Sequence, residues 1–283
     1  MTCQHLDCGS AANGELAEGC KLCTQGAKMV LFVTGRCRAG CFYCPVSPEK
    51  KGQDAVYANE GRALNDDDVI AEAEAMDALG TGITGGDPSE NLDRTEHYIR
   101  LLKEHFGPQH HIHLYTSVIS LANAERLEAA GLDEIRYHPR EDQWTAMDRT
   151  ELADVIARTK MDVGLEVPAL PGAEKALNAL LAYAEQNGVK FVNLNELEFS
   201  ESNWNMMAEH RYEVRDELSA AVKGSEETAL AVMAAHPRLR VHFCSSSFKD
   251  GVQLRHRLLR RANHIAAEYD VVTDDGTILK GLV

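Results

Sequence analysis

From residue 29 onward, short runs of strand character alternate with longer stretches in which apolar residues recur every three or four positions. Residues 29–35 (MVLFVTG) read as a buried strand. Residues 64–79 open with Asn65 and Asp66 as caps and an acidic first turn. They continue with Val69, Ile70 and Met76, which predicts a helix. The same alternation gives strands at 81–86, 111–116, 134–138, 161–167 and 191–197, with helices at 95–106, 121–130, 151–160 and 173–187 between them. Gly131 and Gly188 stop two of these helices, and Pro168 ends a strand. Six such units predict an α/β fold with a parallel sheet and right-handed crossovers. Their spacing suits a partial (β/α)6 barrel of the TIM type, with chemistry at the C-terminal strand ends, while periodicity alone also admits a doubly wound open sheet.

Past residue 200 the rhythm weakens. A helical region is expected over 204–235, a further strand at 240–246, a helix at 252–267 and a hairpin at 271–279 around Asp274, Asp275 and Gly276. The chain thus divides into a Cys-rich metal-binding segment (1–28), the barrel (29–200) and a C-terminal extension, mainly helical with a terminal hairpin (201–283).

With 283 residues, 44% of them hydrophobic, the chain can bury a sizeable core. No apolar run approaches the ~18 residues of a membrane span. The N-terminus lacks the basic and apolar segments of a signal peptide, so a cytoplasmic location is expected. A net charge of −15 argues against a generally nucleic-acid-binding surface. The cysteines change the picture more. Seven of eight fall within the first 44 residues, and without an export signal this crowding points to metal or cluster binding rather than disulfides.

Cys37, Cys41 and Cys44 directly follow the first barrel strand. Spacings of four and three put three thiolates on one loop, and soft thiolates select iron–sulfur clusters or zinc. A structural zinc would recruit a fourth ligand. On a four-iron, four-sulfur cubane, three ligands leave one iron open, as a reactive centre requires.

In this C-x3-C-x2-C motif, with Tyr43 before the third cysteine, the chain resembles the radical S-adenosylmethionine (SAM) superfamily. Thr84-Gly85-Gly86-Asp87-Pro88 at the second strand end is similar to that family's glycine-rich SAM motif. The resemblance covers about residues 29–200. It is strongest to an archaeal branch of the group related to pyruvate formate-lyase-activating enzyme. It implies a [4Fe-4S] cluster whose open iron is chelated by the SAM methionine, and an electron donor such as ferredoxin or flavodoxin. Reductive cleavage then yields a 5′-deoxyadenosyl radical that abstracts hydrogen from a substrate. Gly85 and Gly86 would let backbone carbonyls approach the methionine ammonium. The family usually carries Glu where this chain has Asp87, a side chain one methylene shorter.

Polar residues on the strands extend the candidate site. Arg136 is the expected partner of the methionine carboxylate. Thr116 and Ser117 are expected at the ribose, and Glu166 and Asn193 inside the barrel. A buried hydrogen-bonded network, such as Arg136 with Glu166, is the structural alternative. Cys20 and Cys23, with Cys3, Cys8 and Cys244, form a tentative second site for an auxiliary iron–sulfur cluster or zinc. Arg255, Arg257, Arg260 and Arg261, with Lys249 and His256, make a basic cluster on a helix whose ordinary meaning is a solvated or ion-paired face; its sharper reading is a phosphate site for RNA or a phosphorylated substrate. The substrate class, whether small molecule, protein or RNA, is not encoded in a portable motif. Glycyl-radical activation, RNA modification and small-molecule or lipid metabolism are the named possibilities, and a non-catalytic metal-binding or iron–sulfur electron-transfer protein is the alternative from another class.

Overall fold

Seven parallel strands carry the fold. In this computed structural model, which describes residues 3–217 and 219–280, the chain opens with β1 (Cys3–His5), β2 (Ala11–Asn13), helix α1 (Glu18–Thr24) and β3 (Lys28–Phe32). A hairpin of β4 (Val56–Ala58) and β5 (Gly61–Ala63) precedes α2 (Asp66–Ala75), β6 (Gly80–Thr84) and α3 (Leu92–Phe106). Then follow β7 (His111–Thr116), α4 (Leu121–Ala130), β8 (Glu134–Tyr137), α5 (Leu152–Arg158), β9 (Asp162–Ala169), α6 (Glu174–Asn187) and β10 (Phe191–Glu196). The remainder comprises α7 (Trp204–Glu209), β11 (Val214–Asp216), β12 (Ser219–Val222), α8 (Ser225–Ala235), β13 (Val241–Cys244), α9 (Ser246–Phe248), a π-helical turn (Lys249–Leu254), α10 (Arg255–Ile265), β14 (Val271–Val272) and β15 (Ile278–Leu279).

The central sheet runs β1-β2-β13-β10-β9-β8-β7-β6-β3-β4-β5. All neighbours from β13 to β3 are parallel, and the flanking pairs are antiparallel. With β1 and β5 at its two edges, the sheet is a partial barrel. Side chains alternate along each strand. Leu31, Ile83, Ile112, Leu114, Ile135, Leu165, Val192, Leu194 and Phe243 are all at most 1% exposed and belong to one apolar layer with the helices. Burying each such side chain is worth roughly 1.5–3 kcal/mol. The alternate positions include His113, Arg136, Glu166, Asn193 and His242, a polar concave face.

Helix boundaries follow local chemistry. Asn65 caps α2 by accepting from Asp68 N, while the Asp68 carboxylate accepts from the Asn65 amide, a reciprocal box. Gly131 and Gly188 end α4 and α6 in left-handed conformation. Pro168 does not end its strand. β9 continues to Ala169, because Pro168 lies beyond Leu165, the last residue paired to β8, where a missing N–H breaks no ladder.

The expected helical region at 204–235 is corrected. It contains α7, then the β11–β12 hairpin, then α8. Tyr212, Val214 and their polar neighbours alternate with period two, and Arg215 pairs with Glu196 at 2.7 Å, docking the hairpin to the end of β10. The segments before 29 and after 200 also contribute to the sheet, through β1, β2 and β13. Among the described residues no helix is long and apolar enough to cross a membrane.

Candidate active site

The loop after β3 carries the three motif thiols. Cys37 is exposed, and Cys41 and Cys44 are half-buried. The Ala39 amide donates to Cys37 Sγ at 3.3 Å, and Gly40 turns the loop with φ +67°. Burial pushes the Cys37 thiol up, and the charges of Asp87, Cys41 and Cys44 add to it. The Cys41 thiol is raised in the same way, by burial and then by Cys44. With Cys37 and Cys41 held protonated in this way, a positive iron core beside the three sulfurs would favour their thiolates.

Beside this loop runs the end of β6. The Gly86 amide donates to Thr34 O at 2.7 Å, and the Asp87 amide to Arg36 O at 2.8 Å, so strand-like pairing continues up to the first cysteine. A Cβ on Gly85 would fall 2.4 Å from Thr34 O, and one on Gly86 2.3 Å from Arg36 O. Only glycines permit this approach. The carbonyl oxygens of Gly85 and Gly86 accept no hydrogen bond from the described residues. They are free acceptors next to the thiols, as an ammonium-bearing cofactor would need.

Asp87 is 2% exposed, and its carboxylate is fully engaged. Oδ1 accepts from Ser89 N, Ser89 Oγ and Thr116 Oγ1; Oδ2 accepts from Ser117 N at 2.8 Å and Ser117 Oγ at 2.5 Å. The structure therefore ties Asp87, Thr116 and Ser117 to one another, clamping the end of β6 to the end of β7.

Tyr43 is gripped from two sides. Its hydroxyl lies 3.0 Å from His138 Nε2, and its carbonyl accepts from Asn203 Nδ2 at 3.0 Å. His138 Nδ1 meets Glu166 O at 2.7 Å, so Nδ1 carries the proton and Nε2 accepts from Tyr43. Phe42 stacks on His210 with ring centroids 3.9 Å apart. Sequence reasoning missed Asn203 and His210 as supports of the loop; no local pattern marks them, since both meet it only through the fold.

Arg136 lies within the concave face, 2% exposed. Its guanidinium donates to Glu134 at 2.5 Å, to Glu166 at 2.9 Å, to Tyr115 Oη and to Cys20 Sγ. The guanidinium expected at a methionine carboxylate is engaged within this network. Glu166 also accepts from Asn193 and Asn195. Burial opposes its charge, but Arg136 and the two amides outweigh that and hold the carboxyl below its ordinary value. Of the remaining cysteines, Cys20, Cys23 and Cys244 line the interior side, Cys8 lies against the π turn at Gly251, and Cys3 is exposed on β1.

Three of the four arginines of α10 are ion-paired. Arg257 meets Glu60, Arg260 meets Asp77, and Arg261 meets Glu72 at 3.0 Å, while Arg255 donates to Asp274 O.

Comparison with known proteins agrees with this geometry. A family profile described as the radical SAM superfamily matches residues 31–139, the span from β3 through the cluster loop to the end of β8. A protein of Methanocaldococcus jannaschii, provisionally named a glycyl-radical enzyme activating enzyme, is 39% identical over 280 residues, covering 95% of this chain and 74% of the relative. The chain belongs to the radical SAM superfamily. It is therefore an enzyme of the radical SAM class, whose members use a [4Fe-4S] cluster and SAM. Two solved structures share the fold. SuiB of Streptococcus suis, bound to SAM, superposes with a TM-score of 0.51 at 10% identity, over 80% of this chain and 53% of that one. HydG, a maturase of the [FeFe]-hydrogenase, gives 0.50 at 14% identity, over 86% and 65%. Each solved chain is thus longer than this radical SAM protein, which spans about half of the first and under two thirds of the second.

Proposed function

We propose that Cys37, Cys41 and Cys44 hold the cluster, that Gly85 and Gly86 receive the methionine end of SAM, and that the radical is passed to a partner protein of the glycyl-radical type. The observation that carries the reading is the backbone contact between the cluster loop and the paired glycines, whose carbonyls are free to accept from an ammonium. When bound, the reduced cluster and SAM supply a reductive cleavage to methionine and a 5′-deoxyadenosyl radical. This chain's residues do the positioning. Asp87, Thr116 and Ser117 fix the strand end beside the ribose position, and Tyr43, His138 and Asn203 hold the third cysteine. Arg136, Glu166 and Asn193 shape the interior wall. Residues 29–200 carry this chemistry, with the flanking segments completing the barrel.

The exposed side of the loop at Cys37 is where a donor such as ferredoxin or flavodoxin would deliver the electron. Among substrates, a protein is favoured by the name of the Methanocaldococcus relative. RNA has less support, because Arg257, Arg260 and Arg261 of α10 are occupied by carboxylates.

The test is direct. After anaerobic reconstitution, dithionite and SAM should give 5′-deoxyadenosine, and Cys41→Ala should abolish it. A fully iron-loaded protein that yields none overturns the reading. Mixing the active protein with a candidate glycyl-radical enzyme should produce that radical's paramagnetic signal. Hydrogen abstraction from RNA instead would reassign the substrate.

A further inference from the structure

The cysteines that the cluster loop leaves unused are not scattered. Cys20 and Cys23 stand three residues apart on α1, a spacing that puts both on one helix face. Cys244 ends β13, two residues beyond His242 and on the same side of the sheet. Cys20 Sγ accepts from Arg136 Nη2 at 3.4 Å and from Asn193 Nδ2 at 3.3 Å. A single amide links the other two: Cys23 Sγ donates to Gln253 Oε1 at 3.2 Å, and Gln253 Nε2 donates to Cys244 Sγ at 3.4 Å. Asn193, which donates to Cys20, lies two residues before Asn195, the neighbour of Cys244 across the β10–β13 ladder, so the three thiols form one neighbourhood.

A second observation concerns charge. Lys28 is 5% exposed, and its ammonium meets a ring nitrogen of His113 at 2.9 Å. Burial, with Lys28 and Arg136, holds that imidazole neutral. No carboxylate among the described residues pairs with Lys28. An isolated buried ammonium is costly, and proteins pair or neutralise it. Beside it is a cavity of about 100 Å³, lined by Cys23, Lys28, Lys249, Gln253 and Arg257 among others. The Arg257 Nε is buried there without an acceptor. Lys249 and Arg257 beside this space are paired with Glu198 and Glu60, so Lys28 is the cation there for which the described residues supply no carboxylate.

We propose that Cys20, Cys23 and Cys244 hold a second iron–sulfur cluster inside the curve of the sheet, separate from the cluster loop. Three thiolates on a cubane supply negative charge opposite Lys28, and loading releases three thiol protons. The N–H groups of Arg136 and Asn193 already aimed at Cys20 are the kind that tune a cluster's potential. Spacing separates this from zinc. A single zinc draws every sulfur to about 2.3 Å of one point, whereas here an amide fits between Cys23 and Cys244. A cubane takes each thiolate on a different iron, and Gln253 yields its place.

The experiment removes the first cluster. A Cys37→Ala, Cys41→Ala, Cys44→Ala variant, loaded anaerobically with iron and sulfide, should retain about four irons and four sulfides per chain. After reduction its paramagnetic signal should not respond to SAM. Adding Cys20→Ser, Cys23→Ser and Cys244→Ser should remove the iron. Because that variant could unfold, Gln253→Ala in the first background is the companion: it clears the space without removing a ligand and should load as much iron. A first variant that binds no iron, or that holds one zinc in its place, overturns the proposal. The outcome does not depend on SAM cleavage, so it stands or falls apart from the proposed function.

Discussion

Asp87 shows how much one side chain can fix. Its carboxylate answers five donors from Ser89, Thr116 and Ser117. An amide in its place turns one donor group toward other donors, leaving a buried N–H or hydroxyl without an acceptor. Asp87→Asn should cost about 1–3 kcal/mol in urea unfolding; unchanged stability would show that the clamp is dispensable. His110 gives a pH-dependent counterpart. It is 4% exposed, lies 2.8 Å from Thr81 Oγ1, and is pushed down to about 4 by burial and by Lys103. In the unfolded chain the imidazole binds its proton near pH 6.5. Between these values the unfolded state holds more protons, so stability is complete above pH 6.5 and falls as pH drops toward 4. His110→Gln should make that decline shallower by up to about 1.4 kcal/mol per pH unit, and an unchanged slope would reject the assignment. At this scale the sequence was legible where chemistry is local. The thiol spacing and the paired glycines lie where the motif puts them, next to each other. The Arg136–Glu166 pair was open to anticipation from two polar positions on neighbouring strands, whereas Thr116 and Ser117 as partners of Asp87, and Cys20 as partner of Arg136, were not, since the fold brings them from 29, 30 and 116 positions away.

Among the elements, periodicity located every barrel strand and the helices between them because each has one apolar face to bury. It failed where short segments take their structure from neighbours. β1, β2, β4 and β5 are three residues each, too short for a period to show, and exist as additions to sheet edges. The hairpin inside 204–235 was hidden in the same way. The basic face of α10 has a plain elemental meaning: Arg260 and Arg261 fasten it to Asp77, just past the end of α2, and to Glu72 on α2. Such partly exposed pairs are each worth about 0.2–1 kcal/mol. Retention of the protein on RNA should equal background, and Arg257→Glu with Arg260→Glu should lower the melting temperature by a few degrees. Salt-sensitive RNA retention lost in that variant would reverse this reading.

For the molecule as a whole, α1 is the piece that the alternation gave no reason to place inside. It sits against β3, β6 and β7, with Gly19 N donating to Glu134 Oε2 at 3.3 Å. A Cβ on Gly19 would lie 2.3 Å from His113 Nδ1 and 2.7 Å from Arg136 Nη2. Gly19→Val should therefore expel α1, and amide exchange across residues 18–24 should rise well above that of β7. Protection retained in that variant would mean that the wall gives way instead.

The grip of Asn203 on the Tyr43 carbonyl spans 160 residues of chain. At synthesis rates of 5–20 residues per second, the three motif cysteines emerge roughly 10–30 s before the residue that steadies them. Until then the nascent loop lacks the Asn203 support, and the residue that completes it arrives only with the last third of the chain.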